Sequence, residues 1–217
     1  VRLSVTVLNA ALADAVEWRL LAENPAARLR TPRPARRDKR AWNADQARAF
    51  LAEADRAADP DRALWRLLLD SGMRIGEALA LAWADADLAA GSLRVRRTLT
   101  RDEANKVYVG EIPKTDAGNR AVELDAATVA ALKTHRAAQN ARRLELGPLW
   151  NDHGLAFDRG DGRPVALSTI RARFDRAAAA AGVPPLDLHG LRHTCATLLM
   201  EAGVPLPVVQ ERLGQAS

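Results

Sequence analysis

The chain has 217 residues, of which 48% are hydrophobic and 27% charged. That composition can bury one sizeable core with part of a second domain, and it excludes a disordered or fibrous protein. Apolar runs fall short of the roughly 18 residues of a membrane span, and the first residues lack the basic, apolar, small-residue order of a secretion signal. We therefore expect a cytoplasmic protein. The formal net charge of +5 favours a polyanionic partner, although weakly by itself.

Cysteine and histidine are scarce, with one cysteine and four histidines in the chain. A single thiol forms no internal disulfide, and so few ligands make a structural zinc site improbable. We expect Cys195 to be a small buried apolar residue.

The first predicted element is a helix over residues 4–22. Apolar residues recur there at helical spacing: Leu8, Leu12, Val16 and Leu20. Asn24-Pro25 should end the helix, because proline disfavours a helical residue before it. Residues 1–24 are therefore expected to be the end of a helical domain whose earlier part is missing.

A basic segment follows at residues 25–40, with seven cationic side chains against the single acid Asp38. The cationic residues are Arg28, Arg30, Arg33, Arg36, Arg37, Lys39 and Arg40. Three prolines make the segment extended, which is typical of an interdomain linker. Its charge fits either a solvated linker or a strap that lies along DNA phosphates, and both interpretations stay open.

A second domain is predicted from residue 41. Asn43 and Gln46 form the pattern of a capping box, and the helix that follows should bury Ala47, Phe50, Leu51 and Ala54. Another helix is predicted over residues 61–71, with Leu64, Leu67 and Leu68 inward and Gly72 at its end. A third begins near Arg74, which places that residue at a corner between helices.

Three strands are predicted next, at residues 92–98, 107–112 and 120–124, with turn residues 116–119 between the last two. We interpret them as a three-stranded antiparallel sheet. Further helices are predicted at residues 129–144, 169–181 behind the cap Ser168, 190–202 ended by Gly203, and 206–213 ended by Gly214. The fold class is mainly α (α+β).

The stretch His189-Gly190-Leu191-Arg192-His193-Thr194 places three potential cations on one face at the start of a helix. Such groups repel one another unless they share an anion, and a helix N-terminus favours negative charge, so a phosphate is the expected ligand. A plain surface patch is one alternative. Metal binding by His189 and His193 is another, but the zincin pattern has glutamate where this chain has Gly190.

For two further basic residues, Arg74 and Lys114, a purely structural role is the alternative to a functional one. Arg74 stands among apolar residues and needs a partner, which Glu77, one helical turn later, can supply without any function. Lys114 follows Pro113 near the tip of the predicted hairpin, and alone it would be an ordinary surface lysine.

Together these segments resemble the tyrosine recombinase (phage integrase) family. Its conserved boxes are a Gly-x-Arg-x-x-Glu corner, Pro-Lys-Thr, His-x-Leu-Arg-His-Thr and a late Leu-Gly-His-Ser. They have counterparts here, in order, at residues 72–79, 113–115, 189–194 and 213–217. The resemblance covers residues 41–217 as the catalytic domain. In addition, residues 4–25 resemble the last helix of the family's helical core-binding domain.

The resemblance implies metal-free and cofactor-free phosphoryl transfer, in which a tyrosine attacks a DNA phosphate and leaves a 3′-phosphotyrosyl enzyme and a 5′-hydroxyl. Arg74 and Arg192 would hold the non-bridging oxygens, because guanidinium groups donate two hydrogen bonds to growing negative charge. Lys114 would protonate the leaving 5′-oxygen, and His189 would bind the phosphate and help to move the tyrosine proton.

Glu77 and His193 would act behind these residues and orient them. The implied partner is double-stranded DNA, with a homotetramer expected for the complete protein and a monomer for this piece of it. The target site is not readable from one chain, because base contacts cannot be inferred from charge.

Two departures from the family pattern matter. Gln215 stands where histidine or tryptophan is usual. Its amide can donate a hydrogen bond, but it cannot take up and release a proton at neutral pH. The family's tyrosine lies roughly nine residues further on, about two to three helical turns, so we expect it beyond Ser217. Tyr108 is the one tyrosine in the chain, and we expect a buried or half-buried strand residue there rather than the nucleophile.

Two alternatives remain open. A type IB topoisomerase shares the same catalytic residue types, although the residue sequences of the Pro-Lys-Thr and His-x-Leu-Arg-His-Thr boxes favour a recombinase. A non-catalytic DNA-binding protein that kept the phosphate pocket is compatible with Gln215 and with the absent tyrosine. The reading frame after Ser217 would discriminate among these possibilities.

Overall fold

A computed structural model of the chain describes residues 2–29, 40–101, 107–111 and 120–214. The chain divides into two compact units, Val1–Asp38 and Lys39–Ser217. Among the described residues, no helix has the length and apolar character that crossing a membrane requires.

In the first unit, residues 2–29 are described, and they form one helix, α1 (Arg2–Glu17), followed by turns. The helix ends five residues earlier than predicted, because Arg19 adopts a left-handed backbone conformation (φ 59°). Asn24 then fixes the chain locally: its Nδ2 donates to the carbonyl of Asn9 (3.1 Å), and its Oδ1 accepts from the N–H of Ala26 (2.8 Å). The predicted apolar stripe is only partly buried, since Leu8 and Leu20 are exposed.

The second unit is mainly helical. Its helices are α2 (Ala44–Arg56), α3 (Arg62–Ser71), α4 (Ile75–Leu79), α5 (Ala126–Leu146), α6 (Leu167–Ala180), α7 (Leu188–Glu201) and α8 (Leu206–Leu213), with 3₁₀ turns at Trp83–Asp85 and Gly147–Leu149. The predicted class, mainly helical with a small antiparallel sheet, is confirmed.

An aromatic cluster forms the centre of the core, where α2, α3 and α6 meet. Its members are Trp42, Phe50, Trp65 and Phe174, with ring centroids 4.9–6.3 Å apart. The capping box at Asn43 and Gln46 is present and starts α2 so that Phe50 faces inward. Leu64, Leu67 and Leu68 of α3 are buried as predicted. This core is the rigid support for the corner that follows α3.

Gly72 makes that corner possible. It ends α3 with φ 62°, a left-handed conformation that favours glycine. A Cβ atom there would lie 2.3 Å from Cδ2 of Leu213 and 3.1 Å from Sγ of Cys195. The backbone conformation therefore favours glycine, and a Cβ atom would also displace the tip of the Leu213 side chain. Cys195 is buried, as predicted, and burial raises the pKa of its thiol to about 11.

The strand pairing differs from the prediction. The strands are β1 (Ala86–Asp87), β2 (Ser92–Val95), β3 (Arg97–Arg101), β4 (Val107–Glu111) and β5 (Arg120–Glu123). They form an antiparallel sheet of order β1-β2-β5 and a separate β3-β4 ribbon. The predicted pairing of residues 107–112 with 120–124 is wrong.

The reason for the different pairing is a break in the predicted strand 92–98, at Arg96. On one side of the break, Val95 pairs with Arg120 and Leu93 with Val122, and Leu93, Val95 and Val122 are all buried. On the other side, Arg97 pairs with Glu111 in the ribbon. The predicted turn at residues 116–119 lies outside the described residues.

Two helix starts also differ from the prediction. Helix α6 begins at Leu167 after Ala166, which has no side-chain cap, so Ser168 lies inside the helix rather than capping it. Helix α7 begins at Leu188, and its N-cap is Asp187, whose carboxylate accepts from the N–H of Gly190 (2.7 Å). His189 therefore lies in the first turn of α7.

Candidate active site

Arg74 stands at the start of α4, just after the turn that ends α3. Its backbone N–H donates to Oε2 of Glu77 (2.9 Å), and its Nη1 donates to Oε1 (2.8 Å). One carboxylate thus caps the helix and holds the guanidinium, a contact that three-residue spacing on a helix allows. The Arg74 side chain remains 50% exposed, so a ligand can reach it from solvent.

Arg192 of α7 is buried, with 3% of its surface exposed, and the partners that hold it are backbone carbonyls. Its Nη1 donates to the carbonyl of Gly72 (2.9 Å), and its Nη2 to that of Leu213 (2.7 Å). These residues end α3 and α8, where carbonyls lack intrahelical donors and carry partial negative charge. Two helix ends therefore fix this guanidinium in place.

Arg74 and Arg192 share one electrostatic site. Burial, and after it the positive charge of Arg74, lowers the pKa of Arg192 to about 10, while the carboxylate of Glu77 acts in the opposite direction. Arg192 stays protonated at neutral pH, but in an environment that disfavours its charge. An anion placed between the two guanidinium groups would relieve that cost.

Arg120 is a member of this site that the sequence analysis missed. It lies on β5 with 9% of its surface exposed, and its Nη2 donates to Oε2 of Glu77 (2.9 Å). Its Nε donates to the carbonyl of Arg212 in α8 (3.0 Å). The available signal was strand alternation, because Arg120 and Val122 face the same side of β5, and a cation beside a buried valine needs a partner.

The arginine cluster, defined as Arg74, Arg120, Arg192 and Glu77, has an excess of positive charge. Three guanidinium groups surround one carboxylate, so two positive charges have no counter-charge within the cluster. Bringing several cations together costs free energy because they repel one another, and an anionic ligand offsets that cost. The arrangement is suited to a group that carries one negative charge at rest and gains another during reaction, as a phosphodiester does.

His189 and His193 contact each other on α7, with ring centroids 4.7 Å apart and planes at 88°. His189 is exposed and His193 is half-buried. The N–H groups at the start of α7 are not all open to a phosphate, because Asp187 already caps that of Gly190. Within the described part of the chain, no group of three or more His, Cys, Asp or Glu side chains is placed to hold a metal ion.

Only some of the remaining predicted site residues lie within the part of the chain that the structure describes. Lys114 and Gln215 lie outside the described residues, as do Arg30, Arg33, Arg36, Arg37 and Lys39 of the basic segment. Arg28 and Arg40 are exposed. Tyr108 lies on β4, in register with Thr100, and is 45% exposed.

Comparison with known proteins identifies the family of this sequence. The sequence model of the Phage integrase family matches residues 41–217. The chain belongs to this family. The match covers every residue of the arginine cluster and both histidines of α7, so the cluster is part of the phage integrase domain.

Relatives of known type agree with this assignment. A tyrosine recombinase XerC-like protein of Caldanaerobacter subterraneus subsp. tengcongensis is 35% identical over 166 residues, which are 72% of this chain and 42% of that protein. Tyrosine recombinase XerC of Mycobacterium bovis is 32% identical over 219 residues, covering 98% of this chain and 67% of that protein. The chain thus spans less than half of the first relative's length.

A solved structure supports the fold. The Tn1549 transposon integrase in complex with a circular intermediate DNA superposes with a TM-score of 0.78 at 20% identity, covering 100% of this chain and 71% of the integrase chain. At that identity the likeness concerns the fold alone.

Proposed function

We propose that the chain is the catalytic part of a tyrosine-type site-specific DNA recombinase, an integrase that cuts and rejoins strands through a 3′-phosphotyrosyl intermediate. The observation that carries the proposal is the shared site of Arg74 and Arg192, with its unbalanced positive charge. That site is suited to the oxygens of a phosphodiester and to the further charge that develops as the phosphorus becomes five-coordinate.

The two arginines differ in exposure, and the difference suits the reaction. Arg192 is fixed by the carbonyls of Gly72 and Leu213, so it offers a preorganised positive charge. Arg74 is half exposed and is held by Glu77, so its guanidinium is oriented and open to an incoming phosphate. Guanidinium groups placed in advance stabilise the transition state without the cost of reorganising solvent.

Proton transfer is assigned to other residues of the family boxes. Lys114 would donate a proton to the departing 5′-oxygen, and His189 would bind a phosphate oxygen and assist deprotonation of the attacking tyrosine. His193, in contact with His189, would orient it. Gln215 would supply a hydrogen bond in place of the usual histidine or tryptophan. The tyrosine itself is proposed to follow Ser217 in the complete protein.

Double-stranded DNA is the proposed substrate, held by a homotetramer of complete proteins, and a cytoplasmic location is part of the proposal. We assign residues 1–24 to the end of the helical core-binding domain and residues 25–40 to a basic linker that lies along DNA phosphates. Residues 41–217 form the catalytic domain.

The linker assignment predicts a steep salt dependence of DNA binding. Changing the seven basic residues of the linker to glutamine should flatten the slope of log binding constant against log salt concentration by up to about six, because each phosphate contact contributes about 0.9. Fluorescence anisotropy with a labelled duplex measures this slope. Glutamine substitution separates loss of charge from loss of the first helix, which a deletion of residues 1–40 removes as well. An unchanged slope would mean that the segment is a solvated linker only.

Strand cleavage by the protein encoded by the whole gene, read to its stop codon, tests the proposed reaction. Because guanidinium groups supply the charge stabilisation, cleavage should be undiminished by EDTA, whereas two-metal nucleases lose activity in it. The new 5′ end should be a hydroxyl, which polynucleotide kinase labels without prior phosphatase treatment. Cleavage that stops in EDTA, or that leaves 5′-phosphate, would contradict the proposal.

A further inference from the structure

Arg120 lies outside every sequence box that carries the family resemblance, yet it contacts the centre of the arginine cluster. We propose that Arg120 is a positioning residue: it holds the Glu77 carboxylate that orients Arg74, and it ties the same carboxylate to the end of α8. The inference rests on the proposed function, because the residue that is positioned, Arg74, is proposed to bind the phosphate.

The first argument is the geometry of the shared carboxylate. Oε1 of Glu77 accepts from Nη1 of Arg74 (2.8 Å) and from Nη1 of Arg120 (3.5 Å), while Oε2 accepts from the backbone N–H of Arg74 (2.9 Å) and from Nη2 of Arg120 (2.9 Å). Arg120 therefore approaches both oxygens and fixes the plane of the carboxylate. Packing does not fix the half-exposed Arg74, so the orientation of its guanidinium depends on that plane.

The second argument is charge. Burial pushes the pKa of Glu77 upward, but hydrogen bonding and charge from Arg120, with a smaller contribution from Arg74, outweigh burial and hold the pKa below its usual value. The charged groups that face Glu77 among the described residues are Arg74 on α4, Arg120 on β5 and Arg192 on α7. Of these, Arg74 would also serve the phosphate. Arg120 is thus the cation that keeps Glu77 ionised while Arg74 binds its ligand.

The third argument is the link to α8. Nε of Arg120 donates to the carbonyl of Arg212 (3.0 Å), and Nη2 of Arg192 donates to the carbonyl of Leu213 (2.7 Å). Two consecutive carbonyls in the last turn of α8 are therefore held by two buried guanidinium groups. The guanidinium that orients Glu77 also fixes the place where the chain leaves α8, just before Gln215.

The test compares Arg120→Met and Arg120→Lys with Arg173→Met in the protein encoded by the whole gene. Arg173 is a matched control, since its Nη1 pairs with Asp61 (3.3 Å) in the same domain, away from the cluster. The measured quantity is the rate of covalent adduct formation on DNA across pH. Arg120→Met should lower the rate at neutral pH by on the order of tenfold and move the acidic limb of the profile up by about one pH unit or more, because Glu77 loses its main cation.

The sign follows from the direction of the Glu77 pKa. A carboxylate with a depressed pKa supports the site above that pKa and loses its effect as the pH falls through it, so a raised pKa moves the loss to higher pH. Arg120→Lys keeps the charge but loses the planar pair of guanidinium donors. The acidic limb of its pH profile should therefore lie between those of the unsubstituted protein and Arg120→Met. Arg173→Met should leave the limb unmoved.

A double-mutant cycle with Glu77→Gln shows whether Arg120 acts through Glu77. If it does, Arg120→Met should change the rate little in the Glu77→Gln background, so the combined loss is much smaller than the product of the two single losses. Two results would overturn the inference. One is a loss of rate in the double mutant that equals the product of the two single losses, and the other is a pH profile of Arg120→Met that matches that of Arg173→Met. If Arg120→Met does not fold, Arg120→Lys provides the same comparison.

A second readout separates this inference from the proposed function. If the unsubstituted protein forms no adduct, the proposed function fails. The quantity measured instead of the rate is then the stabilisation of the 217-residue chain by inorganic phosphate in thermal unfolding. Weaker stabilisation in Arg120→Met than in Arg173→Met, with the same shift of its pH dependence, supports the positioning role. Equal stabilisation in the two variants overturns it.

Discussion

Replacing Arg192 by alanine should lower the rate of DNA cleavage by on the order of a hundredfold or more, the effect of removing one preorganised donor from a developing oxyanion. It should also destabilise the domain. The carbonyls of Gly72 and Leu213 would lose a buried donor, at about 1–3 kcal/mol for each unsatisfied group. Single-turnover cleavage and urea unfolding, measured on the same preparation, report the two effects separately.

Two further variants separate catalysis from folding. Arg192→Lys keeps a positive charge but cannot reach both helix ends with a planar fork, so it should recover part of the stability and little of the rate. Arg176→Ala removes an exposed arginine whose Nε donates to the carbonyl of Ala172 (3.3 Å) on α6, and it should change neither quantity measurably. A cleavage rate that Arg192→Ala leaves unchanged in a folded protein would remove Arg192 from the mechanism.

The second large effect concerns the nucleophile. The 217-residue polypeptide should form no covalent adduct with DNA, because its one tyrosine, Tyr108, lies on β4 and pairs in register with Thr100. Among the residues that the structure describes, no hydrogen bond or ion pair joins Tyr108 to the arginine cluster. A nucleophile held by its own chain gains proximity worth roughly 7–11 kcal/mol, which water does not replace.

Tyr108→Phe provides the internal control for this prediction. In the protein encoded by the whole gene, this change removes one hydroxyl from an exposed strand residue, and the cleavage rate should stay the same. Loss of cleavage in Tyr108→Phe would show that the nucleophile had been misplaced.

Local signals in the sequence were sufficient for the corner at Arg74. Leucines at helical spacing fix α3, Gly72 ends it, and Arg74 with Glu77 three residues later starts α4. Each of these contacts spans only a few residues, so propensity and spacing determine them. The capping box of α2 was predictable for the same reason.

Contacts between distant residues were not predictable in this way. Strand pairing depends on which apolar faces meet in the core, so β2 pairs with β5 across an intervening ribbon. Arg120 and Glu77 are 43 residues apart, and Arg192 and Gly72 are 120 apart. Sequence pattern indicates that a buried cation needs a partner, but only the fold determines which partner it contacts.

The start of α7 shows a different limit. The motif predicted a phosphate at the start of α7, but the side chain of Asp187, two residues before His189, caps the helix and accepts from the N–H of Gly190. Aspartate is a preferred N-cap residue, so this contact was available from the sequence. At least one N–H group of this helix end is therefore already satisfied by the protein itself.

We propose that this chain belongs to an enzyme that cuts DNA by forming a phosphotyrosyl bond beside Arg74 and Arg192. The most direct measurement uses nicked duplexes with a randomised central sequence and a label at the 5′ end of the cleaved strand, because a 3′-phosphotyrosyl bond retains that end. The protein encoded by the whole gene should give a labelled band of protein size on a denaturing gel, and Arg74→Ala should abolish it while the protein stays folded. Absence of the band with the unsubstituted protein, or a band that persists in Arg74→Ala, would contradict the account.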